Sequence, residues 1–458
     1  MDRTVRMLAR AGLLAVAFLL QTSAQDRYLV RAPNAEIGNI AARHNLTLIR
    51  SLAGSAKNLH VVAAPPGADV QHTIQGLHAD ESVQGVERDV LVSLPETFPW
   101  VPLRQMGQPD PAPVSDRQLV PYYGASAWDA YVNQAAAIVI KVAQAHFFAT
   151  GAGKVAFLDT GVDTGHLVIA SSLVPGYDFT RNIPGGSEMA DINQSTTSIL
   201  DQSTTSILDQ STTSILDQKA ALVLNQSTTS ILDQSTTSIL DKSELPSAFG
   251  HGTMVAGLIH LVAPTAKLMP VKVFSGNGKA TLSNVVSGIY WAVDHGADVI
   301  SMSFSSTESS TELKTAIDYA NSKGAICVAS AGNDGKQNPS IFPAGYSSKV
   351  IGVASTNNQD IRSTFSNYGD QIVDLAAPGE GDVTLYPGNN YAEGWGTSFS
   401  APLVAGGVAL LVQLGGDINQ AQAAQAISQA IPTGQGLGAG ELDLFQACLY
   451  ELLHGGWR

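Results

Sequence analysis

The alternation of short apolar runs with helical stretches constrains the fold of this chain most. Between residues 125 and 443, five runs have the length and composition of buried strands: residues 154–158, 267–273, 297–302, 325–329 and 350–354. Helical spacing fills intervals such as 283–295 and 312–322. Strands that are apolar throughout are buried on both faces, and strands alternating with helices form mostly parallel sheets. This pattern predicts a three-layer α/β domain with helices on both faces, and functional residues at the carboxyl ends of its strands.

A smaller α+β unit is predicted before this domain, over residues 25–96. Its strand patterns lie at residues 27–31, 46–49, 59–63 and 83–92, and its helical patterns at 36–44 and 69–78. Residues 97–124 are rich in proline and polar residues, which is typical of an exposed linker that a protease can reach. Residues 444–458 are expected to form a C-terminal tail.

The first 24 residues have the pattern of an export signal. Arg3, Arg6 and Arg10 precede an apolar run at residues 12–20, and small residues follow at 22–24. Basic residues, a short apolar run and small residues in that order are typical of a secretory signal peptide. The run is about half of the ~20 residues that a membrane-spanning helix needs. We therefore expect an exported protein, extracellular or periplasmic, with no membrane attachment once the signal is removed.

Composition excludes several classes of protein. The net charge is −14 and only 14% of the residues are charged, so there is no basic surface for nucleic acid or anionic lipid. The hydrophobic content of 44% is sufficient for a large core. Two cysteines, Cys327 and Cys448, are too few for a disulfide scaffold, although their pairing is left open.

An octapeptide repeat interrupts the predicted α/β domain at residues 195–242. Six units of the type Ser-Thr-Thr-Ser-Ile-Leu-Asp-Gln follow one another, and the unit that starts at Lys219 is degenerate. An even period keeps each side chain on one face of a strand, whereas a helix would not keep one apolar stripe. We interpret the array as a duplicated surface insertion; the alternative is a docking arm.

Three motifs place catalytic residue types at the ends of elements. Asp159 follows an apolar strand, His251 stands between glycines before an apolar helix, and Ser398 lies where another helix begins. The first residues of a helix favour a developing negative charge, because their N–H groups are unpaired and the helix dipole is positive there. Each motif alone is equally compatible with an ordinary structural role. Together they form a set of orienting acid, base and nucleophile.

Asn333 follows the strand at residues 325–329 and could donate its side-chain amide to an oxyanion. With it, the motifs of residues 125–443 resemble those of the catalytic domain of the subtilisin-like serine peptidases. The segments that carry the resemblance are Asp159-Thr160-Gly161, His251-Gly252-Thr253, Gly332-Asn333 and Gly396-Thr397-Ser398 with Pro402. Residues 27–92 also resemble the inhibitory propeptide of this family.

The resemblance implies a role for each of these residues. Ser398 would attack the peptide carbonyl, His251 would transfer the proton, and Asp159 would orient His251. Asn333 would form the oxyanion hole with the Ser398 backbone N–H. The residues expected to flank an extended substrate are Ser303, Phe304, Ser305, Ala329, Ser330 and Gly332. Ser305 stands where the family usually has glycine, so the pocket near the cleaved bond is expected to be narrower.

The predicted partners are polypeptide substrates and the chain's own propeptide, which would act as an intramolecular inhibitor. We expect the protein to be a monomer. No cofactor is required; no segment has a clear calcium-loop pattern, so metal binding is left open. The function predicted is a secreted serine endopeptidase, made as a self-processing precursor. Two alternatives are an inactive scaffold that binds through the repeat and a processing peptidase with a single target.

Overall fold

A computed structural model describes residues 26–94, 117–192, 246–434 and 436–455, together with the backbone of residues 229–231. Two compact units divide the chain; the first ends at Val90 and the second begins at Leu91. The predicted export signal, most of the predicted linker and most of the octapeptide array lie outside the described residues.

The first unit is a four-stranded antiparallel sheet with two helices. Its elements are β1 (Arg27–Arg31), α1 (Ile37–Arg43), β2 (Thr47–Ser51), β3 (Leu59–Ala63), α2 (Val70–His78) and β4 (Gly85–Arg88), with a short 3₁₀ helix at Gly54–Ala56. The strand order is β2-β3-β1-β4. Ile37 and Ile40 of α1 and Leu77 of α2 are buried in the same core as the inward side chains of β1. These elements agree with the helical and strand patterns predicted for this region.

The strand predicted at residues 83–92 is wrong as a single element. The chain forms β4 and then a separate strand, β5 (Leu91–Ser93), which belongs to the second unit. Between them, Asp89 forms an ion pair with Arg27 at 2.8 Å. An alternating pattern tells which residues face a core, but not which sheet the strand joins.

The second unit contains an eight-stranded sheet that is parallel except at one edge. Its strands are β8 (Lys154–Asp159), β9 (Tyr177–Asp178), β10 (Ile183–Pro184), β12 (Lys267–Lys272), β14 (Val299–Met302), β15 (Ile326–Ser330), β16 (Ile351–Thr356) and β17 (Leu375–Pro378). The order is β10-β9-β12-β8-β14-β15-β16-β17, with β10 antiparallel to β9. The remaining strands lie in smaller antiparallel sheets: β6 (Leu119–Tyr122), β7 (Ala125–Trp128), β11 (Thr229–Ile231), β13 (Lys279–Thr281), β18 (Glu380–Tyr386) and β19 (Asn390–Trp395).

Helices pack against both faces of the large sheet. The described helices of this unit are α3 (Asp129–Val132), α4 (Ala135–Val139), α5 (Val142–Ala145), α6 (His251–Val262), α7 (Leu282–Asp294), α8 (Thr311–Ser322), α9 (Thr397–Gly415), α10 (Gln420–Ile427) and α11 (Leu444–His454). Alternate strand residues face opposite layers: Phe157 shares a core with α6 and α9, whereas Leu158 approaches Gly288 of α7. The three-layer α/β fold predicted from the alternating pattern is confirmed.

Among the described helices, α9 is long and apolar enough to cross a membrane, with a mean hydropathy of 1.6. Within the molecule, 78% of that apolar window is buried. A Cβ on Gly406 would lie 2.7 Å from Cβ of Val262, so α9 and α6 pack in close contact. Its apolar composition is therefore explained by its position inside the α/β core.

The two cysteines are separate, buried thiols. Cys327 lies in β15 and Cys448 in α11. Burial raises the pKa of each thiol to about 12, so neither forms a thiolate at neutral pH. In this structure they act as small apolar side chains of the core.

His260 of α6 is a buried imidazole whose environment disfavours its charged form. Its Nε2 lies 3.3 Å from Oγ of Ser172, and its Nδ1 has no hydrogen-bond partner among the described residues. Burial, together with the nearby His166, lowers the pKa of His260 to about 4. In the unfolded chain this side chain takes up a proton near pH 6.5, while the folded protein resists it.

We therefore expect His260→Gln to reduce the acid sensitivity of the fold. The stabilisation that neutral His260 contributes is complete above pH 6.5 and is lost as the pH falls towards 4. The loss is up to about 3 kcal/mol for a shift of this size. Thermal unfolding of the Ser398→Ala protein, with and without His260→Gln, measures it between pH 7 and 4. Equal slopes of the melting temperature against pH in both proteins would contradict the assignment.

Candidate active site

Asp159 and His251 are in direct contact at the carboxyl end of β8. Asp159 is the last residue of β8 and is 1% exposed, and His251 is the first residue of α6. Oδ1 of Asp159 lies 2.8 Å from Nδ1 of His251 and accepts a 2.7 Å hydrogen bond from the backbone N–H of Thr160. A carboxylate facing Nδ1 fixes the tautomer in which Nδ1 carries the proton and Nε2 can accept one.

Two glycines allow this contact. A Cβ on Gly252 would lie 1.9 Å from the backbone oxygen of Gly161, so no larger residue fits there. Gly161 itself has a φ of 106°, in the region that favours glycine. The backbone N–H of Gly252 also donates to Oγ1 of Thr160 at 3.0 Å. The glycine in each motif is therefore required for the first turn of α6 to rest on the turn after β8.

Ser398 lies in the first turn of α9, fully buried. Its hydroxyl donates to the backbone oxygen of Ser303 at 3.2 Å, and the Ser303 hydroxyl donates to the backbone oxygen of Ser398 at 2.9 Å. The ring of Phe399 lies 5.6 Å from that of His251, measured between centroids. The structure thus brings the start of α9, the start of α6 and the end of β8 together, as the three motifs predicted.

Thr397 holds the side chain of Asn333 in one orientation. The Thr397 backbone N–H and hydroxyl both donate to Oδ1 of Asn333, at 2.9 and 2.8 Å. A backbone N–H can only donate, so the oxygen of the amide must face Thr397 and the nitrogen must face away. The amide nitrogen therefore faces away from Thr397, the residue next to Ser398 in the chain. This role of Thr397 was not predicted from the sequence, although its place between Gly396 and Ser398 was visible.

The segment Ser303 to Ser305 continues from β14 at the edge of the candidate site. Phe304 is buried against Phe274, with the ring centroids 5.5 Å apart, so its backbone, and not its side chain, is what a substrate could meet. The backbone N–H of Ser305 donates to the backbone oxygen of Ser93 at 3.3 Å. An extended strand, β5, is therefore already paired with this segment.

The other predicted substrate-binding residues lie in β15 and directly after it. Ala329 and Ser330 are inside β15: Ala329 is aligned with residues of both β14 and β16, and Ser330 with Val353 of β16. The backbone N–H of Gly332 donates to Oγ1 of Thr397 at 3.1 Å. The alignment with β14 ends at Ala329, so Ser330 is aligned with β16 alone, and contact of these residues with a substrate stays a prediction.

β5 occupies a slot between two segments of the second unit. Ser93 aligns with Lys279 of β13 and forms an antiparallel bridge with Ser305. The backbone N–H of Leu94 donates to the backbone oxygen of Gly278 at 3.0 Å. Backbone pairing on both sides is the way in which an extended peptide is held independently of its sequence.

Glu188 is a second buried carboxyl group beside the Asp159–His251 pair. It accepts hydrogen bonds from the Gly250 backbone N–H at 2.9 Å and from the hydroxyls of Thr160 and Thr253. Burial raises the pKa of Glu188 to about 7. This residue was not predicted from the sequence, because it lies far from every motif in the chain and no local pattern marks it.

Within the described ranges, no group of three or more histidine, cysteine, aspartate or glutamate side chains has an arrangement that could hold a metal ion. The candidate site contains an imidazole, two carboxyl groups, the Ser398 hydroxyl and the Asn333 amide. This set suits nucleophilic and proton-transfer chemistry.

Known families and proteins match this chain over much of its length. The model of the subtilase family matches residues 151–444, more than half of the chain. Thermitase of Thermoactinomyces vulgaris is 32% identical over 324 residues, 68% of this chain and 94% of the relative. Subtilisin DY of Bacillus licheniformis is 41% identical over 175 residues, 36% of this chain and 63% of the relative. The minor extracellular protease Epr of Bacillus subtilis is 38% identical over 173 residues, 36% of this chain and 26% of the relative.

A solved structure shares the fold. It is fervidolysin from Fervidobacterium pennivorans, described as a keratinolytic enzyme related to subtilisin. The TM-score is 0.68 at 23% identity, over 93% of this chain and 61% of fervidolysin. The strand–helix architecture, the grouping of the three motifs and the match of the family model agree, and the chain belongs to the subtilase family of serine endopeptidases.

Proposed function

We propose that this chain is a secreted serine endopeptidase that cuts peptide bonds through Asp159, His251 and Ser398 and is made as a self-processing precursor. The observation that carries the proposal is the position of β5. A segment from the end of the predicted propeptide is paired with Ser305 and β13, as a peptide substrate would be, in a unit that also contains the Asp159–His251 contact.

In this mechanism, His251 accepts the proton of Ser398 as the hydroxyl oxygen attacks the peptide carbonyl. The Ser398 hydroxyl now donates to the backbone of Ser303, so it must first turn towards the imidazole. Asp159 holds Nδ1–H and stabilises the imidazolium that forms. His251 then passes the proton to the leaving amine, and a water molecule hydrolyses the acyl-enzyme by the same route.

The tetrahedral intermediate places a negative charge on the former carbonyl oxygen. The Asn333 amide and the Ser398 backbone N–H, which lies in the first turn of α9, are the donors proposed for it. Thr397 keeps the amide in its orientation before the reaction begins. Donors fixed in advance need no reorganisation when the charge forms, which is the source of their effect.

The continuity of the chain supports self-processing. β5 and Leu94 are bound between β13 and Ser305, and the predicted linker follows at residues 97–124. We propose that the enzyme cuts its own chain within this linker, and that the released N-terminal region inhibits the enzyme until it is removed. Export is supported by the signal pattern of residues 1–24 and by the word extracellular in the name of the Bacillus subtilis relative.

Ser398→Ala should stay uncut and should not react with a fluorophosphonate probe, because the hydroxyl that attacks the carbonyl is absent. The wild-type protein should be shortened and labelled. Intact mass and probe labelling of the exported proteins measure both properties. Ser400→Ala is the matched control, since Ser400 is another buried serine in α9; it should behave as the wild type does.

The proposal fails if Ser398→Ala, produced alone, is trimmed as efficiently as the wild type. If the wild type is neither trimmed nor labelled, treatment with an added protease decides. Labelling that appears after removal of the N-terminal region indicates a latent enzyme, and continued absence of labelling favours the inactive scaffold. A panel of unrelated proteins as substrates then separates a general peptidase from one with a single target.

Asn333→Leu should lower kcat by about 10²–10³, the magnitude established for loss of one such donor in a subtilisin. KM should change little, because the hydrogen bond forms mainly to the intermediate. Thr397→Val should give a smaller loss, since the backbone N–H of Thr397 still holds the amide oxygen. Steady-state kinetics on a peptide substrate measure both. An unchanged kcat in Asn333→Leu would exclude the side chain from the oxyanion hole.

A further inference from the structure

We propose that Glu188 is a positioning residue that fixes the positions of Asp159 and His251 relative to each other. Its carboxyl group binds the chain directly after Asp159 and on both sides of His251. The inference rests on the proposed peptidase function, and it assigns a role to a residue outside the triad and the oxyanion hole.

The contacts of Glu188 reach both elements. Its Oε2 accepts from the Thr160 hydroxyl at 3.3 Å, directly after Asp159, and from the Gly250 backbone N–H at 2.9 Å, directly before His251. Its Oε1 accepts from the hydroxyl of Thr253, in the first turn of α6. One side chain therefore connects the end of β8 to the start of α6.

The backbone of Glu188 is fixed as well. Its N–H donates to the backbone oxygen of Val162 at 3.2 Å, and a Cβ on Gly161 would lie 2.9 Å from the Glu188 nitrogen. The residue opens a short 3₁₀ helix, Glu188–Asp191, and is 0% exposed. Because its backbone is fixed, the Glu188 side chain can hold its hydrogen-bond partners in place. A mobile surface group could not do so.

The contacts of Glu188 favour a carboxylate. An ionised carboxylate accepts from all three partners at once. The Gly250 backbone N–H can only donate, whereas a threonine hydroxyl can also accept. In glutamine or a protonated glutamic acid, the oxygen that faces Gly250 can remain an acceptor, but the group at the Oε1 position becomes a donor. The Thr253 hydroxyl must then turn to accept from it, and this changes the contact with the first turn of α6.

Several charged or titratable groups face Glu188. Asp159 lies across the turn, Lys272 of β12 contributes a positive charge, and Tyr386 of β18 lies near enough for the two groups to interact. Lys272 is itself bound to Asp191 at 2.7 Å and to the backbone oxygen of Phe274 at 2.9 Å. Burial outweighs the hydrogen bonds and Lys272, and raises the pKa of Glu188 to about 7.

The consequence is a loss of positioning as the pH falls. Below about pH 7 the carboxyl takes up a proton, and the Thr253 hydroxyl, which donates to the ionised form, must then turn to accept. His251 must also be neutral to act as a base, so two ionisations should contribute to the acid side of the pH dependence of kcat/KM. A misplacement of about 1 Å can cost roughly 100-fold in rate.

Glu188→Gln tests this role in the processed enzyme, with Glu451→Gln as the control. Glu451 is another buried glutamate, in α11, and its substitution should leave kcat unchanged. For Glu188→Gln we expect kcat to fall about 10- to 100-fold with little change in KM. The acid limb of kcat/KM should also change from two ionisations to one. Glu188→Asp should keep the second ionisation, because the carboxyl remains.

A folded Glu188→Gln enzyme with the wild-type kcat and acid limb would overturn the proposal, even if its melting temperature were lower. If this variant does not fold or mature, Thr253→Val is measured in its place, since it removes one donor and leaves the carboxyl. A wild-type kcat in Thr253→Val would then overturn it. Failure of the proposed function is separate: there, the wild-type protein itself would neither label nor cleave.

Discussion

The contact between the first turn of α6 and the turn after β8 is the constraint on which the rest of the site depends. The carbonyl of Gly161 occupies the space that a side chain on Gly252 would need, and this brings the Asp159 carboxyl to 2.8 Å from His251. The pair is buried, so its geometry is set by packing and not by flexible side chains reaching through solvent. Every proposed catalytic step uses the imidazole orientation that results.

The surroundings of this pair are unusually polar for a buried region. Thr160, Thr253 and Glu188 form a hydrogen-bonded group behind it, and Lys272 is buried nearby with three oxygen partners. Buried polar groups are costly when left unpaired, so a network of this kind has few alternative arrangements. Because it has few alternative arrangements, the network is suited to fixing the positions of catalytic groups.

The sheet also explains how one site can receive a strand from its own chain. The segment Ser303–Ser305 leaves β14 at its carboxyl end, where the parallel strands on either side no longer pair with it. β5 uses the backbone groups that this leaves available. Recognition through the backbone accepts many sequences, and this suits both an inhibitory segment and a peptide substrate.

Much of the fold was predictable from local patterns. The apolar runs at 154–158, 267–273 and 325–329 correspond to β8, β12 and β15, because a buried parallel strand must be apolar on both faces. The three catalytic candidates could be singled out because each stands at the end of an apolar element, next to glycines or small residues. Patterns failed where an element's partner is distant: residues 83–92 have the pattern of one strand, but pair in two units.

The sequence by itself determined the fold class, the family and which residues are candidates for the chemistry, because strand periodicity and short motifs are local properties of the chain. Only the tertiary structure decided that Thr397 orients Asn333, that β5 pairs beside Ser305, and that Glu188 joins the two motifs. Glu188 lies 62 residues before Gly250 and 28 after Thr160. A hydrogen bond depends on distance in space, and neither composition nor spacing carries that information across such separations.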